Sequence, residues 1–530
     1  MKIHCNALYQ IDPYLFRDSD GHGWGTLDGI TGKLDYLAEL GVSTLWLLPF
    51  FVSGGRDGGY DIVDHCAVDP RLGDLAAFDR LVREARRRGI GIVVELVLQH
   101  TSDRHHWFQQ ARRDPASPFR ARYLWRDAPE DHGHDPMFPP VQAGIWTWDA
   151  CARQYYRHLF YPHEPDLDTA HPAVREEMFR IMEFWLRRGV AGFRIDALPY
   201  MVERAREADP AEQGRWLLGE MRRKAGEHLD DPILIGEADV AAGEYGTYLD
   251  HGRKLSHLLD FHFNNHLFLA LACEDAREIA ATAAEYPADA PASTRLMWLR
   301  NNDELDLEQL DEDEREQVMR AFAPEPWMRI YGRGIRRRLA PMLGGDVARI
   351  AMAHALILSI GQVPVLRYGD EIGMGEELAL PERQSVRTPM QWTAGEGAGF
   401  GDRPERAWRR PISAGPFGHG RINVAAQRDD PDSLLARVRE LLAARRGLPA
   451  FDTHCRYEDA GTPGILSCHY ADAPTPLLAL VNLSGELRQA ALPADFVLDA
   501  TKVARGARPL SDRVALQPYG YCWLQGRRTR

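Results

Sequence analysis

The chain has 530 residues, of which 45% are hydrophobic and 27% are charged, a balance typical of folded globular proteins. Its 64 basic and 77 acidic side chains give a net charge of −13, which argues against the phosphate backbone of nucleic acid as a partner. At about 150 residues per domain the length allows roughly two to four domains, although an α/β barrel can hold about 250 residues in one.

The seven cysteines are odd in number, widely spaced and without a CxxC pair. This pattern favours free thiols in a reducing compartment over a disulfide framework or a zinc site. The N-terminal residues lack the apolar core of a secretory signal. The longest apolar stretches, such as residues 351–360, are shorter than the roughly 18 residues that span a bilayer. We therefore expect a cytoplasmic protein without a membrane partner.

Short apolar, β-rich runs recur along much of the chain, and most of them end in charged or amide side chains. Helical patterns lie between them: in residues 173–188, apolar side chains recur at the spacing of one helix face. Alternating strands and helices predict a parallel sheet that is buried on both faces. The predicted strands are residues 44–48, 91–98, 192–195, 233–235, 296–299 and 363–366.

The polar ends of these predicted strands favour one type of α/β fold. In a (β/α)8 barrel the carboxyl ends of the strands meet at one mouth, where the active site is built. A doubly wound sheet is the alternative, but no GxGxxG motif follows the first predicted strand and no Walker motif occurs in the chain. We therefore predict a (β/α)8 barrel.

Two segments interrupt the alternation of strands and helices. Residues 101–172 contain four tryptophans and little alternation, which predicts a small domain inserted after the third strand. Beyond residue 447 the pattern changes to short strands, which predict an antiparallel C-terminal β-sandwich. The predicted domains are the catalytic barrel (1–100 and 173–447), the inserted domain B (101–172) and the C-terminal β-sandwich (448–530).

Carboxylates follow three of the predicted strands, and a barrel would bring them together. Arg194 and Asp196 lie two residues apart and so point to the same face of their strand. The guanidinium would hold this carboxylate ionised. Glu237 ends the next strand, and Asp303 follows a later one. Three carboxylates at one barrel mouth are typical of retaining glycoside chemistry, in which one is a nucleophile and another an acid/base.

Short motifs appear in a fixed order along the chain: ELVLQH (95–100), HEPDLD (163–168), GFRIDA (192–197), LIGEAD (234–239) and LRNND (299–303). In these motifs the chain resembles the α-amylase family of retaining α-glycosidases and transglucosylases. Longer segments, including YGDEIGMG (368–375) and VRTPMQW (386–392), are most similar to the trehalose synthase group, the maltose α-D-glucosyltransferases.

The resemblance implies roles for individual residues by their positions in these motifs. Asp196 would be the nucleophile, Glu237 the acid/base and Asp303 the stabiliser of the transition state. The side chains implied to bind the transferred glucose ring are Tyr60, Asp61, His100, Arg194, Asn302 and Arg387.

Several positions depart from the pattern of these relatives. Asn302 stands where the family has histidine, and Gln99 replaces an asparagine before His100. Glu164 and Asp168 replace a glutamine and an asparagine in the HEPDLD motif. Because several of these residues lie near the expected glucose site, we expect a rebuilt pocket with an altered substrate preference.

A loop at residues 18–26 occupies the place of a calcium-binding loop in many relatives. His22 and Thr26 replace two aspartates there, and a calcium site needs several hard oxygen ligands. We therefore expect no metal in this loop, and nothing in the sequence points to a cofactor.

The resemblance implies a leading function and two alternatives. The leading function is isomerisation of maltose to trehalose, by intramolecular glucosyl transfer through a covalent glucosyl–Asp196 intermediate. The first alternative is an α-glucosidase or another transglucosylase of small α-linked glucosides. The second is a catalytically weak sugar-binding homologue. In each case the expected partner is a disaccharide or a short oligosaccharide, and a homo-oligomer is left open.

Overall fold

The closed sheet at the centre of the molecule consists of eight parallel strands. In the computed structural model, which describes residues 7–130, 135–287, 290–458 and 460–528, each strand of this barrel pairs in parallel register with its two neighbours. The predicted (β/α)8 barrel is thus confirmed. Its strands are Leu8–Ile11, Thr44–Leu47, Gly91–Leu96, Gly192–Ile195, Ile233–Gly236, His257–Leu259, Arg295–Trp298 and Val363–Arg367.

Side chains in a strand alternate between its two faces, and this alternation divides the barrel core into two layers. Leu8, Trp46 and Val93 belong to an apolar cluster of side chains inside the barrel. Their sequence neighbours, such as Tyr9 and Leu45, belong to a larger cluster between the sheet and the helices. Both faces of the strands are therefore buried, as expected for a parallel sheet surrounded by helices.

Helices alternate with the barrel strands, and several begin at a side-chain cap. Asp74 caps its helix by accepting a backbone hydrogen bond, and Asp311 forms a reciprocal capping box with Glu314. The helix predicted at 173–188 is present. The α-helices are Pro13–Phe16, Leu27–Thr31, Leu34–Leu40, Leu75–Arg87, His106–Arg113, Pro172–Arg187, Leu198–Ala205, Trp216–Gly226, Tyr245–Leu249, Phe261–Cys273, Arg277–Ala284, Glu312–Phe322, Leu339–Met342, Val347–Ser359, Val424–Arg428 and Leu434–Arg446.

The chain between the third barrel strand and the helix Pro172–Arg187 carries the predicted insertion. It contains the helix His106–Arg113 and a three-stranded antiparallel sheet. Phe108 of this helix packs against Trp125 and Tyr156 of the sheet, with ring centroids 5.5 and 5.1 Å apart. An aromatic core therefore stabilises the segment. The strands of its sheet are Trp125–Arg126, Trp146–Asp149 and Gln154–Arg157.

The antiparallel C-terminal β domain predicted from the sequence is confirmed. Its last strand pairs with three others in one hydrogen-bonded network. Leu478 and Leu480 face an apolar cluster inside this domain, whereas Ala479 and Val481 belong to the main core of the molecule. The strands are Arg456–Tyr457, Ile465–Tyr470, Leu477–Asn482, Arg488–Ala491, Phe496–Pro509 and Arg513–Arg528.

Two barrel strands, Leu8–Ile11 and His257–Leu259, are absent from the sequence prediction. The first contains the polar Gln10 and the second has only three residues, so neither forms the apolar run that identifies a buried strand. Two small antiparallel sheets add to the barrel: Phe51–Ser53 with Ile62–Val68, and Leu305–Asp306 and Arg329–Ile330 with Gly334–Ile335.

Two further observations concern the described ranges alone. No helix within them is long and apolar enough to cross a membrane. The six cysteines that they contain are free thiols, in agreement with the spacing of these residues, and Cys5 lies outside the described residues.

Candidate active site

A cavity of about 300 Å³ lies at the mouth of the barrel, where the strands end. Asp196 and Glu237 reach it because each comes directly after a barrel strand. Five of the predicted site residues line the cavity, namely Tyr60, His100, Asp196, Glu237 and Asp303. The other four each contact a lining residue from behind: Asp61, Arg194, Asn302 and Arg387.

Arg194 joins three carboxylates from neighbouring strands. Its guanidinium donates to Glu95 at 2.8 Å and to Asp196 at 2.5 Å, and it forms an ion pair with Glu237. Glu95 lies opposite Arg194 in the register of two adjacent strands, and Asp196 shares its strand face. The predicted contact between Arg194 and Asp196 is therefore present. One buried arginine thus fixes Asp196 and Glu237, two of the carboxyl groups that face the cavity.

Burial raises the pKa of the two carboxyl groups at this arginine. The pKa of Asp196 rises to about 6 and that of Glu237 to about 7, because burial penalises the charged forms more than Arg194 favours them. Arg194 limits the rise in the pKa of Asp196, because its positive charge offsets part of the effect of burial. Near neutral pH, Asp196 is mainly ionised and Glu237 is partly protonated.

Asp303 has a different electrostatic environment. Arg383 donates to it at 2.9 Å and Arg387 at 2.8 Å, both to the same oxygen. Burial alone would raise the pKa of Asp303, but these guanidinium groups and Arg194 outweigh it and hold the pKa below its usual value. Asp303 therefore stays ionised at neutral pH. Sequence reasoning identified Arg387 and missed Arg383, which lies in a short 3-10 turn without a periodic pattern.

The residue after Asp196 adopts a strained backbone conformation. Ala197 has φ 48° and ψ 38°, in the left-handed region that favours glycine. In this conformation its backbone N–H donates to Glu237 at 3.1 Å. The chain thus turns sharply from the strand Gly192–Ile195 into the helix Leu198–Ala205, and the turn presents Asp196 and orients Glu237. Strained residues of this kind cluster at functional sites.

Tyr60, Asp61 and His100 are the sequence-predicted contacts of the transferred sugar from the first half of the chain. The hydroxyl of Tyr60 donates to Glu95 at 3.2 Å, and Nε2 of His100 lies 3.3 Å from the carbonyl oxygen of Tyr60. Asp61 is fully buried, and its carboxylate accepts a hydrogen bond from Arg56 at 3.3 Å. The structure places Tyr60 and His100 on the cavity wall and Asp61 behind it.

Asn302 is buried among side chains from three other parts of the barrel. Its side-chain oxygen accepts from Gln10 at 3.1 Å, and its side-chain nitrogen donates to Tyr60 at 3.5 Å. Its backbone carbonyl accepts from Arg387 at 2.8 Å. Gln10 lies on a strand that the sequence pattern misses, so this partner could not be predicted. Asn302 thereby couples the first barrel strand to the ligands of Asp303.

The two departures in the HEPDLD motif occupy different environments. Glu164 is fully buried and lines the cavity, and its Oε1 accepts no hydrogen bond from a described residue. Burial, together with Asp57 and Asp61, raises the pKa of Glu164 well above its usual value. Asp168 pairs with Arg204 at 2.8 Å and does not line the cavity. The departure at Glu164 therefore changes the cavity wall, whereas the one at Asp168 does not.

Aromatic side chains form a wall beside the cavity, on the side of the inserted segment. Phe138 stacks on Tyr161 with a centroid distance of 4.7 Å and packs against Tyr331 at 5.0 Å. Arg383 lies over Phe138 at 4.7 Å and pairs with Asp57 at 3.0 Å. This aromatic wall joins the inserted segment to the loops after the seventh and eighth barrel strands, and Phe138 presents it to the cavity.

The loop at residues 18–26 uses its own oxygen atoms internally. The carboxylate of Asp18 accepts hydrogen bonds from the backbone of Gly21 at 2.8 Å and of Gly23 at 2.9 Å. The hydroxyl groups of Ser19 and Thr26 bond to each other at 2.7 Å. A calcium site needs six to eight oxygen ligands, and the absence of calcium from this loop stays a prediction.

A family model described as "Alpha amylase, catalytic domain" matches residues 10–301 and 332–453. The chain is 41% identical over 445 residues to a trehalose synthase of Thermus thermophilus, which covers 83% of this chain and 46% of that protein. It is 38% identical over 470 residues to the trehalose synthase/amylase TreS of Mycobacterium tuberculosis, which covers 87% of this chain and 78% of that protein. The chain thus spans about half the length of the Thermus relative.

The fold is also similar to a solved structure, that of the trehalulose synthase MutB from Pseudomonas mesoacidophila. The TM-score is 0.78 at 25% sequence identity, and the similarity covers 99% of this chain and 99% of that chain. The barrel, the inserted segment and the C-terminal sheet are therefore one shared architecture.

Proposed function

The chain belongs to the α-amylase family, and on that premise we propose that it is a retaining transglucosylase that converts maltose into trehalose. One observation carries the proposal: Asp196 and Glu237 are held by a single guanidinium at the wall of one cavity. Retaining glycoside chemistry uses two such carboxyl groups, one as nucleophile and one as acid/base. Similarity to two trehalose synthases supports trehalose as the product, and the resemblance in the sequence motifs implies maltose as the substrate.

In the first step the carboxylate of Asp196 attacks the anomeric carbon of the bound glucosyl unit. The bond to the glycosidic oxygen breaks and Glu237 protonates that oxygen, which leaves a glucosyl–Asp196 ester and free glucose. A pKa of about 6 for Asp196 and of about 7 for Glu237 supports this division of roles. Asp303, which stays ionised, stabilises the positive charge that develops on the sugar.

In the second step the freed glucose turns within the cavity and presents its anomeric hydroxyl group to the ester. The new C–O bond forms, the bond to Asp196 breaks, and Glu237 takes the hydroxyl proton, so that trehalose results. Glucose must stay in the cavity while it turns. The aromatic wall of Phe138, Tyr161 and Tyr331 supports this retention, because Phe138 lines the cavity and the two tyrosines pack against it.

An α-glucosidase is the second candidate, and it differs only in the acceptor of the second step. The same ester attacked by water gives glucose. Asp303 and the two arginines that bind it serve both reactions equally, so the acceptor has to be identified by its products.

The test is to incubate the protein separately with maltose, trehalose and sucrose and to identify every sugar formed. We expect trehalose from maltose, with a smaller amount of glucose, and maltose from trehalose. Asp196→Asn is the control, because it removes the nucleophile with little change in shape. Glucose alone would favour the α-glucosidase, and no turnover of any glucoside would leave a sugar-binding homologue.

A further inference from the structure

Two arginines behind the cavity take no part in the steps described above. Arg300 follows the seventh barrel strand, and Arg367 ends the eighth. Both are at most 1% exposed, and neither lines the cavity. Within the described residues, the hydrogen bonds of both side chains go to backbone carbonyl oxygens and not to carboxylates. Each guanidinium thus holds a segment of backbone.

Arg367 and its neighbour Tyr368 hold the chain on both sides of Arg387. The guanidinium of Arg367 donates to the carbonyl oxygen of Val386 at 2.5 Å. The hydroxyl of Tyr368 donates to the carbonyl oxygen of Thr388 at 2.8 Å. Because Val386 and Thr388 flank Arg387 in the chain, the end of the eighth strand fixes the backbone from which the Arg387 side chain extends.

The segment that carries Arg387 has little regular structure of its own. Arg387 directly follows the 3-10 turn Glu382–Val386, and such turns have poor internal hydrogen-bond geometry. Its guanidinium nevertheless makes two contacts at the active site, to the carbonyl oxygen of Asn302 and to the carboxylate of Asp303, each at 2.8 Å. A shift of the segment would move both contacts. The placement of Arg387 against Asp303 therefore depends on Arg367.

Arg300 holds Asp303 more directly. Its guanidinium donates to the backbone carbonyl oxygen of Asp303 at 2.6 Å and to that of Arg337 at 2.7 Å. Asp303 lies in the loop between the strands Arg295–Trp298 and Leu305–Asp306. The two arginines thus reach the same carboxylate by two routes. Arg300 acts through its backbone, and Arg367 acts through its partner Arg387.

The two arginines are costly for the fold. Nη1 of Arg300, and Nε and Nη1 of Arg367, donate to no described residue. Burial disfavours both charges, and it lowers the pKa of Arg300 to about 10 and that of Arg367 to about 9. A buried charge with unused donors reduces the stability of a protein. Residues of this kind recur at active sites, where function and stability compete.

We propose that Arg300 and Arg367 are positioning residues that keep the carboxylate of Asp303 in place against the charged sugar of the transition state. This inference rests on the proposed transglucosylase function. Neither guanidinium reaches the cavity, so each acts through a backbone carbonyl oxygen. Positive charge develops on the sugar only in the transition state. A small displacement of Asp303 therefore lowers the rate more than it weakens binding of the ground state.

Variants of Arg367 test the proposal by kinetics. Arg367→Met removes the donor to Val386, and we expect kcat on maltose to fall about tenfold while KM changes by less than about twofold. Arg367→Lys keeps a charged donor and should recover part of the loss. Arg445→Met is the matched control and should keep kcat. Arg445 is also buried and donates to a backbone carbonyl, that of Gln362 at 2.7 Å, at the opposite end of the eighth strand.

The thermal midpoint separates positioning from support of the fold. Arg367→Met should unfold within about 3 °C of the wild type, because the loss of one hydrogen bond is offset by removal of a buried charge. Arg445→Met shows how the fold responds to the same change elsewhere. A fall in kcat that comes with a larger fall in the thermal midpoint would assign Arg367 a structural role and overturn the inference.

Binding of a cationic sugar tests the inference without turnover. 1-Deoxynojirimycin carries a protonated ring nitrogen and so mimics the charge of the transition state, and glucose is its neutral counterpart. In calorimetric titrations, Arg367→Met and Arg300→Met should each bind the imino sugar about tenfold more weakly than the wild type, with little change for glucose. Arg300→Lys replaces Arg300→Met if the latter does not fold. Equal weakening of both ligands, or of neither, would overturn the inference.

A double substitution traces the route from Arg367 to Asp303. In an Arg387→Ala background, Arg367→Met should cause no further fall in kcat, because its effect passes through Arg387. Arg300→Met should still lower kcat in that background. A second fall of about tenfold from Arg367→Met would overturn the proposed route. If the wild type turns over no glucoside, the proposed function fails, whereas the titrations with the imino sugar still decide the inference.

Discussion

Gln10 donates from its side-chain amide to the side-chain oxygen of Asn302 at 3.1 Å, and both side chains are buried. Asn302 therefore satisfies its oxygen on the first barrel strand and turns its nitrogen toward Tyr60, 3.5 Å away. The resemblance places a histidine at this position in the family. Here the site is built around two complementary amides, and Asn302 is adapted to its partner.

We expect Asn302→His to lower kcat/KM on maltose about tenfold, or ~1.4 kcal/mol. Imidazole is larger than the amide, and Gln10 would lose a buried acceptor, which costs about 1–3 kcal/mol. The measurement is kcat and KM on maltose, trehalose and sucrose. Adding Gln10→Ala should recover part of the loss, since the two side chains are coupled. A higher kcat on maltose with an unchanged sugar preference would contradict this prediction.

The roles of Asp196 and Glu237 can be separated by azide rescue. In Asp196→Ala, azide takes the place of the nucleophile and displaces fluoride from α-glucosyl fluoride, which gives the β-azide. In Glu237→Ala the ester still forms on Asp196, and azide attacks it from the opposite face, which gives the α-azide. Without azide, each variant should lose about a thousandfold in turnover, or ~4 kcal/mol.

The configuration of the glucosyl azide, read by NMR, decides this assignment. Asp196→Asn is the control for folding, and its thermal midpoint should stay close to that of the wild type. The α-azide from Asp196→Ala together with the β-azide from Glu237→Ala would mean that nucleophile and acid/base have been assigned the wrong way round.

The barrel strands could be predicted from the sequence where they form continuous apolar runs. Two examples are the strands Gly192–Ile195 and Thr44–Leu47. Both are buried on both faces, and their apolar sequences predict this burial. The strand Leu8–Ile11 contains the polar Gln10, whose side chain donates a hydrogen bond to Asn302. The local sequence pattern does not show that a residue nearly 300 positions away provides this acceptor. Short strands with tertiary partners are therefore missed.

Contacts in the site could be predicted where the position of a residue in a strand fixes the direction of its side chain. Arg194 and Asp196 share a strand face, so their contact follows from a period of two. Arg383 approaches Asp303 from a 3-10 turn, and the course of such a turn depends on packing against Phe138 that no local pattern encodes. The pKa of Asp196 was also beyond sequence reasoning, because burial outweighs the neighbouring arginine.

The activity should depend on pH through the two groups at Arg194. Below about pH 6, kcat/KM should fall as Asp196 takes up a proton, and above about pH 7 it should fall as Glu237 loses one. Because both groups contact Arg194, the two pKa values obtained from the acid and alkaline limbs of the pH profile describe the coupled pair and not either residue alone. With α-glucosyl fluoride, whose leaving group needs no proton, Glu237→Gln should lose the alkaline limb and keep the acid limb. An alkaline limb that persists in this variant would exclude Glu237 as its origin.

Chelation should leave the stability of the protein unchanged. The carboxylate of Asp18 is bound by the backbone of Gly21 and Gly23, so the loop needs no cation to satisfy it. Asp18→Asn should destabilise the fold by about 1 kcal/mol, because charge-assisted hydrogen bonds become neutral ones. Thermal unfolding with EDTA, with added calcium and without either tests both statements. A midpoint that falls with EDTA and returns with calcium would show that the loop binds the ion.

The partition between trehalose and glucose should depend on the wall that Arg383 and Phe138 form. Phe138→Ala opens this wall without removing a ligand of Asp303, so water should enter and the share of glucose from maltose should rise severalfold, about 1 kcal/mol in relative barriers. Arg383→Ala should raise that share too, and should also lower kcat because Asp303 loses one of its two arginine partners. Arg383→Lys keeps the positive charge but loses the planar, multi-donor guanidinium. Its share of glucose and its kcat should lie between those of the wild type and Arg383→Ala. If total turnover falls in these variants while the ratio of trehalose to glucose stays fixed, then another part of the cavity retains the freed glucose.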